Sequence, residues 1–193
     1  MDKRHPPKLS SSRCREGYAT ATIWSPVSDI GTFPAPVQEL NCAVRCAVRW
    51  LRANASKYKI NPEKFAAIGG SAGGHLAMMV GYSAEAPELK GDGGKSFADA
   101  PDLCRRASPI TIINKSAPPT LILHGTIDTD VRIEQSDKLA AKLKSLGVPY
   151  TYDRLEGWPH SMDPAAVVSE RCQFFADQFL AKYLPLPKGV DSR

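Results

Sequence analysis

One stretch constrains this chain more than any other: Phe65-Ala66-Ala67-Ile68-Gly69-Gly70-Ser71-Ala72-Gly73-Gly74-His75-Leu76-Ala77. The short apolar run Phe65 to Ile68 predicts a buried parallel strand, and Ala72 to Val80, rich in Ala, Leu and Met, predicts a helix. Between them lies Gly-x-Ser-x-Gly, with Gly69 and Gly73 flanking Ser71. A serine on a sharp strand-to-helix turn has strained backbone angles, and side chains beside it would clash. Glycine on both flanks relieves that crowding and lets the hydroxyl project at a helix N-terminus. There the unpaired N–H groups of the first turn, notably that of Ala72, face an anion forming beside the serine. The bare pattern arises by chance in roughly one chain of this length in fifteen at ordinary glycine and serine frequencies. The strand pattern before it and the helix pattern after it are what make it a nucleophile elbow rather than an ordinary Gly-rich turn.

A chain of 193 residues, 42% of them hydrophobic, can bury one substantial core, so a single domain is expected over residues 17–184. The net charge is +5, and much of the surplus sits in residues 1–16, which carry Lys3, Arg4, Lys8, Arg13 and Arg15. That stretch lacks the apolar run of a signal peptide or a membrane span and reads as a basic, disordered tail. No aromatic residues interleave with its basic ones, which argues against a nucleic-acid arm. Residues 185–193 read as a second tail. Cys14, Cys42, Cys46, Cys104 and Cys172 form no metal-like CxxC pairs and read as free thiols. His5, His75, His124 and His160 lack the spacing of a zinc site, so no metal is expected. Without a signal or membrane segment the cytoplasm is the default compartment, while a lost beginning leaves the original one open.

Along the chain, Tyr18 to Trp24 has strand composition, and Pro26, Gly31, Pro34 and Pro36 then force a loop. From about Val37 to Tyr58 the pattern is helical, with Leu40, Val44, Ala47, Val48 and Leu51 on one face. Arg45, Arg49 and Arg52 share the opposite face, most simply a solvated one. Asn61-Pro62-Glu63 turns the chain into the elbow strand. Tyr82 to Pro109 is mostly polar and predicts no strand. Thr120 to Leu123 predicts a buried strand, Glu134 to Leu146 a helix stopped by Gly147, and Pro149 to Leu155 a further strand with Tyr150 and Tyr152 on one side. Pro164 to Leu184 closes the chain as a helix with Val168, Cys172, Phe175, Phe179 and Tyr183 in its apolar stripe. Strands alternating with helices imply an α/β fold, a mostly parallel sheet covered on both faces, whose sites gather at the carboxyl ends of strands.

Three such ends carry Ser71, Asp128 and His160. A serine hydroxyl is a poor nucleophile at neutral pH. It needs an imidazole to take its proton, and the imidazole needs a carboxylate to fix its tautomer. The chain order Ser, Asp, His is the order this architecture uses. Asp130 rivals Asp128 as the carboxylate. His124 competes as the base, although its place at a strand end against Gly125 suggests a hydrogen-bonded structural role. His75, one turn into the elbow helix, reads as a packing residue.

Gly69-Gly70-Ser71-Ala72-Gly73-Gly74-His75-Leu76-Ala77, His124-Gly125-Thr126-Ile127-Asp128 and Trp158-Pro159-His160 together resemble the α/β-hydrolase fold. The group most similar is the bacterial esterase/lipase group that includes acetyl- and feruloyl-type carbohydrate esterases. Phe33-Pro34-Ala35-Pro36 followed by Ala47 to Ala55 is similar to that group's segment before the elbow. The resemblance implies a Ser71–Asp128–His160 triad, an oxyanion donor at Ala72 and substrate contact at Trp158. It also implies hydrolysis of short acyl or acetyl esters through an acyl-enzyme and without a cofactor, with a small-molecule ester as the substrate. Members of the group carry a His-Gly-Gly loop after an early strand, and nothing in residues 1–17 resembles it. Gly91-Asp92-Gly93-Gly94 runs almost straight into Lys95-Ser96-Phe97, where members have another strand and helix, as if that unit had been excised. The expected sheet is therefore incomplete, lacking its first strands and one inner strand. Neighbouring strands lie about 4.8 Å apart, so closing the gap would displace the Asp128 loop, and leaving it open would expose sheet edges that a second copy could pair with. An impaired relative serving as a binding or assembly module, or a peptidase or dienelactone-type hydrolase, are the alternative readings.

Overall fold

The computed structural model describes residues 37–83, 108–160, 162 and 165–185, apart from the side chains of 37–43 and 46. The expectations for residues 1–36, for most of the polar stretch after Tyr82 and for the C-terminal tail lie outside these. So do those for the side chains of Leu40, Cys14, Cys42, Cys46 and Cys104.

The described chain runs α1 (Val37–Ala53), α2 (Ala55–Tyr58), α3 (Ala72–Tyr82), α4 (Pro109–Ile112), β1 (Thr120–Gly125), α5 (Glu134–Leu146), β2 (Tyr150–Leu155) and α6 (Ala166–Tyr183). The helix expected over 37–58 breaks at Asn54. The Asn54 N–H still makes the helical bond to the Trp50 carbonyl at 3.0 Å, and its side-chain amide shares that carbonyl at 2.9 Å. Among the described residues the sheet has two parallel strands, with Thr120 opposite Tyr150 and Gly125 opposite Leu155.

Each strand's two faces meet different helices. Ile122 of β1 and Tyr150 and Tyr152 of β2 pack with Leu139, Ala140 and Leu143 of α5 and Tyr82 of α3. Leu143 is wholly buried, a contact that stabilises by about 1.5–3 kcal/mol. On the other face Asp153 accepts both arms of the Arg171 guanidinium of α6, at 2.7 and 2.8 Å. The stripe expected on α6 faces inward, with Val168 buried and Cys172 half-buried. Gly147 ends α5 at φ +70°, where its N–H closes back onto the Leu143 and Lys144 carbonyls.

Helix α3 runs antiparallel to β1. Its last residue, Tyr82, shares a 2.8 Å hydrogen bond with Thr120, the first residue of the strand. Eleven helical residues span about 16 Å and six strand residues about 20 Å, so the start of α3 lies near the carboxyl end of β1. That tether at one end of α3, and the contact of Ser71 with the loop after β2 at the other, set Ser71 and Asp128 at the same rim.

The strand expected at Phe65 to Ile68 is absent. Those residues carry no ladder hydrogen bonds to another described residue, and Ile68 is 74% exposed. An apolar run becomes a strand only where a neighbour offers a free edge in register, and β1 and β2 pair only with each other among the described residues. Side chains hold the run instead. Arg52, expected on a solvated face, donates to the Pro62 carbonyl at 3.2 Å and lies 5.1 Å from the Phe65 ring centroid. Lys64 reaches the Pro185 carbonyl at 2.7 Å, tying the approach to the elbow to the end of α6.

Candidate active site

The elbow forms without its strand. Ser71 sits at φ +50° and ψ −123°, one of two non-glycine residues with positive φ in the described chain. Such a conformation costs about 1–3 kcal/mol and persists only where its surroundings over-determine it. Here the backbone entering the turn presses on the first turn of α3. A Cβ on Gly69 would stand 2.3 Å from the Gly73 carbonyl carbon, and one on Gly74 would stand 3.0 Å from the Gly69 carbonyl oxygen. Glycine at 69 is thus a matter of close approach. The N–H groups of Gly73 and Gly74 turn back to the Gly70 carbonyl and that of His75 to the Ser71 carbonyl, while that of Ala72 has no acceptor among the described residues.

From this turn the Ser71 hydroxyl reaches His160 Nε2 at 3.0 Å, and His160 Nδ1 lies 2.7 Å from Asp128 Oδ2. A carboxylate can only accept, so Nδ1 carries the proton. On a neutral ring Nε2 is then bare and accepts the Ser71 O–H. The Asp128 side chain is 5% exposed and that of His160 20%. Burial alone would push the Asp128 carboxyl up. The hydrogen bond from His160, the backbone N–H groups of Val131 and Asp130 on Oδ1 at 2.8 and 3.0 Å, and the charge of the imidazole outweigh it. The carboxyl is therefore held below its ordinary range and stays ionised wherever the imidazole is neutral.

Of the rivals, Asp130 contributes its backbone N–H to Asp128 while its own side chain is exposed. His124 is buried beneath the site, hydrogen-bonded to Ser136, Asp128 and the Val131 carbonyl. His75 is half-buried in the first turn of α3. Trp158 lines a groove of about 350 Å³ with Leu155, Val167, Val168 and Arg171, and neither Ser71, Asp128 nor His160 is among that groove's lining. Among the described residues no group of His, Cys, Asp and Glu side chains is placed to hold a metal, and no helix is long and apolar enough to cross a membrane.

Sequence reasoning passed over Gly125. The loop bearing His160 crosses directly above it, and a Cβ there would lie 2.1 Å from the Trp158 carbonyl oxygen. The same oxygen accepts the Ile127 N–H at 3.2 Å, and Thr126 Oγ1 accepts the Gly157 N–H at 2.9 Å, so the Asp128 and His160 loops are laced together. A glycine ending an apolar strand just before a candidate carboxylate was the available signal. Gly125→Ala is expected to shift the His160 loop and lower kcat by about 10²-fold, with about 1–3 kcal/mol lost from stability through overpacking. Steady-state kinetics and a thermal melt check both.

The profile of the BD-FAE family matches this chain in two segments, residues 2–95 and 93–143. The chain belongs to the BD-FAE family. The two segments meet at residues 93–95, inside the Gly91–Lys95 stretch where the sequence suggests an excised unit, and the first begins within the basic N-terminal stretch. Among curated proteins this BD-FAE chain is similar to esterase LipQ of Mycobacterium tuberculosis, with 29% identity over 84% of this chain and 47% of LipQ. It thus spans about half the length of that relative. Among solved structures it is similar to Thermogutta terrifontis esterase 2 phosphorylated by paraoxon, at 25% identity and a TM-score of 0.68, covering 81% of this chain and 68% of the other. The propionate-bound form of that esterase matches at 26% identity and a TM-score of 0.67, covering 80% and 69%. The fold class is that of the α/β-hydrolases, with two parallel strands of the sheet among the described residues.

Proposed function

We propose that this chain is a serine carboxylic-ester hydrolase acting on short acyl esters through an acyl-enzyme. The observation that carries the reading is the continuous hydrogen-bond relay from the Ser71 hydroxyl through His160 to Asp128. Support comes also from the esterase relatives, one of them bound to propionate and phosphorylated by paraoxon in separate structures.

Ser71 Oγ attacks the ester carbonyl carbon as its proton passes to His160 Nε2. The carbonyl π pair moves onto oxygen, and the Ala72 N–H stabilises the oxyanion. When the tetrahedral species collapses, the bond to the alcohol oxygen breaks and the imidazolium returns its proton to that oxygen. A water molecule then repeats the sequence on the acyl-Ser71 ester, giving the carboxylic acid and the free serine. Asp128 keeps its charge throughout and holds the imidazole in the Nδ1–H tautomer. No cofactor takes part in these steps.

The test is covalent labelling. Paraoxon or a fluorophosphonate probe, incubated with the folded chain, is expected to add one phosphoryl group, located at Ser71 by peptide mass spectrometry. Protein that remains folded and unlabelled would overturn the reading. It would favour the binding or assembly module, for which the Phe65–Ile68 run, with Ile68 exposed and no ladder partner among the described residues, is the motivating feature. A panel of p-nitrophenyl esters, peptides and lactones separates the ester reading from a peptidase or dienelactone-type one.

A further inference from the structure

Asp128 serves two histidines. Its Oδ2 accepts not only His160 Nδ1 but also His124 Nε2, at 3.1 Å. We propose that His124 is a positioning residue of the ester-hydrolysing site, acting through Asp128 to set the angle and basicity at which the carboxylate meets His160. This rests on the reading of Ser71, His160 and Asp128 as a triad.

The tautomer of His124 follows from its neighbours. Nε2 lies 2.9 Å from the Val131 carbonyl, which can only accept, so Nε2 bears the proton. Nδ1 is then bare on the neutral ring and accepts the Ser136 O–H from α5 at 2.6 Å. One N–H is thereby shared between the Asp128 carboxylate and the carbonyl that ends its loop, while α5 fixes the plane of the ring. The Asp128 Oδ1 is meanwhile filled by the Asp130 and Val131 N–H groups. All of the carboxylate's bonds come from a strand end, its own loop and His160, and the one between β1 and Oδ2 passes through His124. Buried at 9% exposure, the ring must have both nitrogens satisfied, and the partners that do so also fix the direction from which its N–H meets Oδ2. The charged groups around the ring are Asp128 in its own loop and Asp137 on α5, the latter engaged by Arg154 of β2.

The consequence has a sign. The His124 N–H draws charge from Oδ2, and without it more negative charge bears on His160, stabilising the imidazolium. Removing the donor therefore raises the pH at which His160 loses its proton and moves the acid limb of kcat/KM upward. With one of its two Oδ2 donors gone, the carboxylate is expected to pivot about its Oδ1 contacts, which lowers kcat while KM is little changed.

Three variants separate positioning from packing. His124→Phe removes both ring nitrogens. His124→Asn places an amide within reach of Ser136 but too short for Asp128. His124→Gln extends an amide N–H to where Nε2 stood. Histidine side-chain NMR on nitrogen-15-labelled protein reads the tautomer and titration of His160 without any turnover, and ester kinetics read kcat. The expected result is a His160 midpoint raised by about half a pH unit or more and kcat reduced about tenfold or more in Phe and Asn, with Gln close to the native protein on both. Should the Phe variant fail to fold, the contrast between Asn and Gln decides alone. An unchanged His160 midpoint and kcat in Asn would overturn the proposal and leave the triad standing. The expected NMR shifts in a protein whose Ser71 neither turns over esters nor labels would overturn the triad reading's chemistry and leave the positioning contact in place.

Discussion

Ser71→Ala is expected to lower hydrolysis of a p-nitrophenyl ester by about 10⁴-fold or more, with the melting temperature almost unchanged. The first half follows from the chemistry. No other hydroxyl occupies the end of the relay, and without one His160 has only water to deprotonate. What survives is the background from the helix N-terminus and from binding, which such sites retain when the nucleophile is removed. The second half follows from the geometry. The hydroxyl makes an exposed hydrogen bond to His160, so its loss takes little from the fold, and alanine meets the same positive φ as serine. Steady-state kinetics beside a thermal melt test the two halves together. Equal rates for the two proteins would remove Ser71 from the chemistry, and a collapse in stability would show that the turn depends on the hydroxyl.

The contrast between the elbow and its missing strand explains which features could be read from sequence. The turn at Ser71 is local: Gly69, Ser71 and Gly73 meet within five residues, and the clash that a Cβ on Gly69 would cause is with Gly73 itself. Helix α5 is equally local, with its apolar face and the glycine that ends it all within residues 134–147, and its bounds are those expected. A strand is not local. Phe65 to Ile68 has strand composition, but it needs an edge supplied from elsewhere in the chain, and composition cannot report whether that edge exists. The same limit hid the work of Arg52. Helical periodicity places it on an outer face, and only the fold reveals that the Pro62 carbonyl and the Phe65 ring come to meet it there.

The site was more legible than the sheet because a relay of three groups leaves a residue-type signature in chain order. The order says which groups meet, and it is silent on what supports them. Nothing in the spacing of His124, Asp128 and Ser136 says that one ring bridges the other two, since Ser136 belongs to a helix whose rotation only packing fixes. The elbow also shows why the relay does not need the Phe65–Ile68 run to be a strand. Ser71 is linked to β1 through α3 and the Tyr82–Thr120 hydrogen bond, and Asp128 and His160 leave adjacent strands, so no ladder bond from the Phe65–Ile68 run is needed to bring the three together.

Asp128→Asn should cost nearly as much activity as removing the nucleophile, about 10⁴-fold in kcat, through a change of tautomer alone. An asparagine can be seated in two ways. With its NH₂ in the place of Oδ1, two N–H donors would face the backbone N–H groups of Asp130 and Val131, which have no other state to adopt. With its NH₂ in the place of Oδ2, the donors face His124 Nε2 and His160 Nδ1 instead. His124 is held in its Nε2–H form by the Val131 carbonyl, but His160 can move its proton to Nε2 and accept at Nδ1. The second seating therefore wins, and it leaves Nε2–H pointing at Ser71, where a base is needed. One opposed pair of donors remains against His124, which costs about 1–3 kcal/mol of stability. Nitrogen-15 spectra of the imidazole distinguish the two tautomers directly, and a variant with the native His160 tautomer and native kcat would show that the carboxylate is not what orients the base.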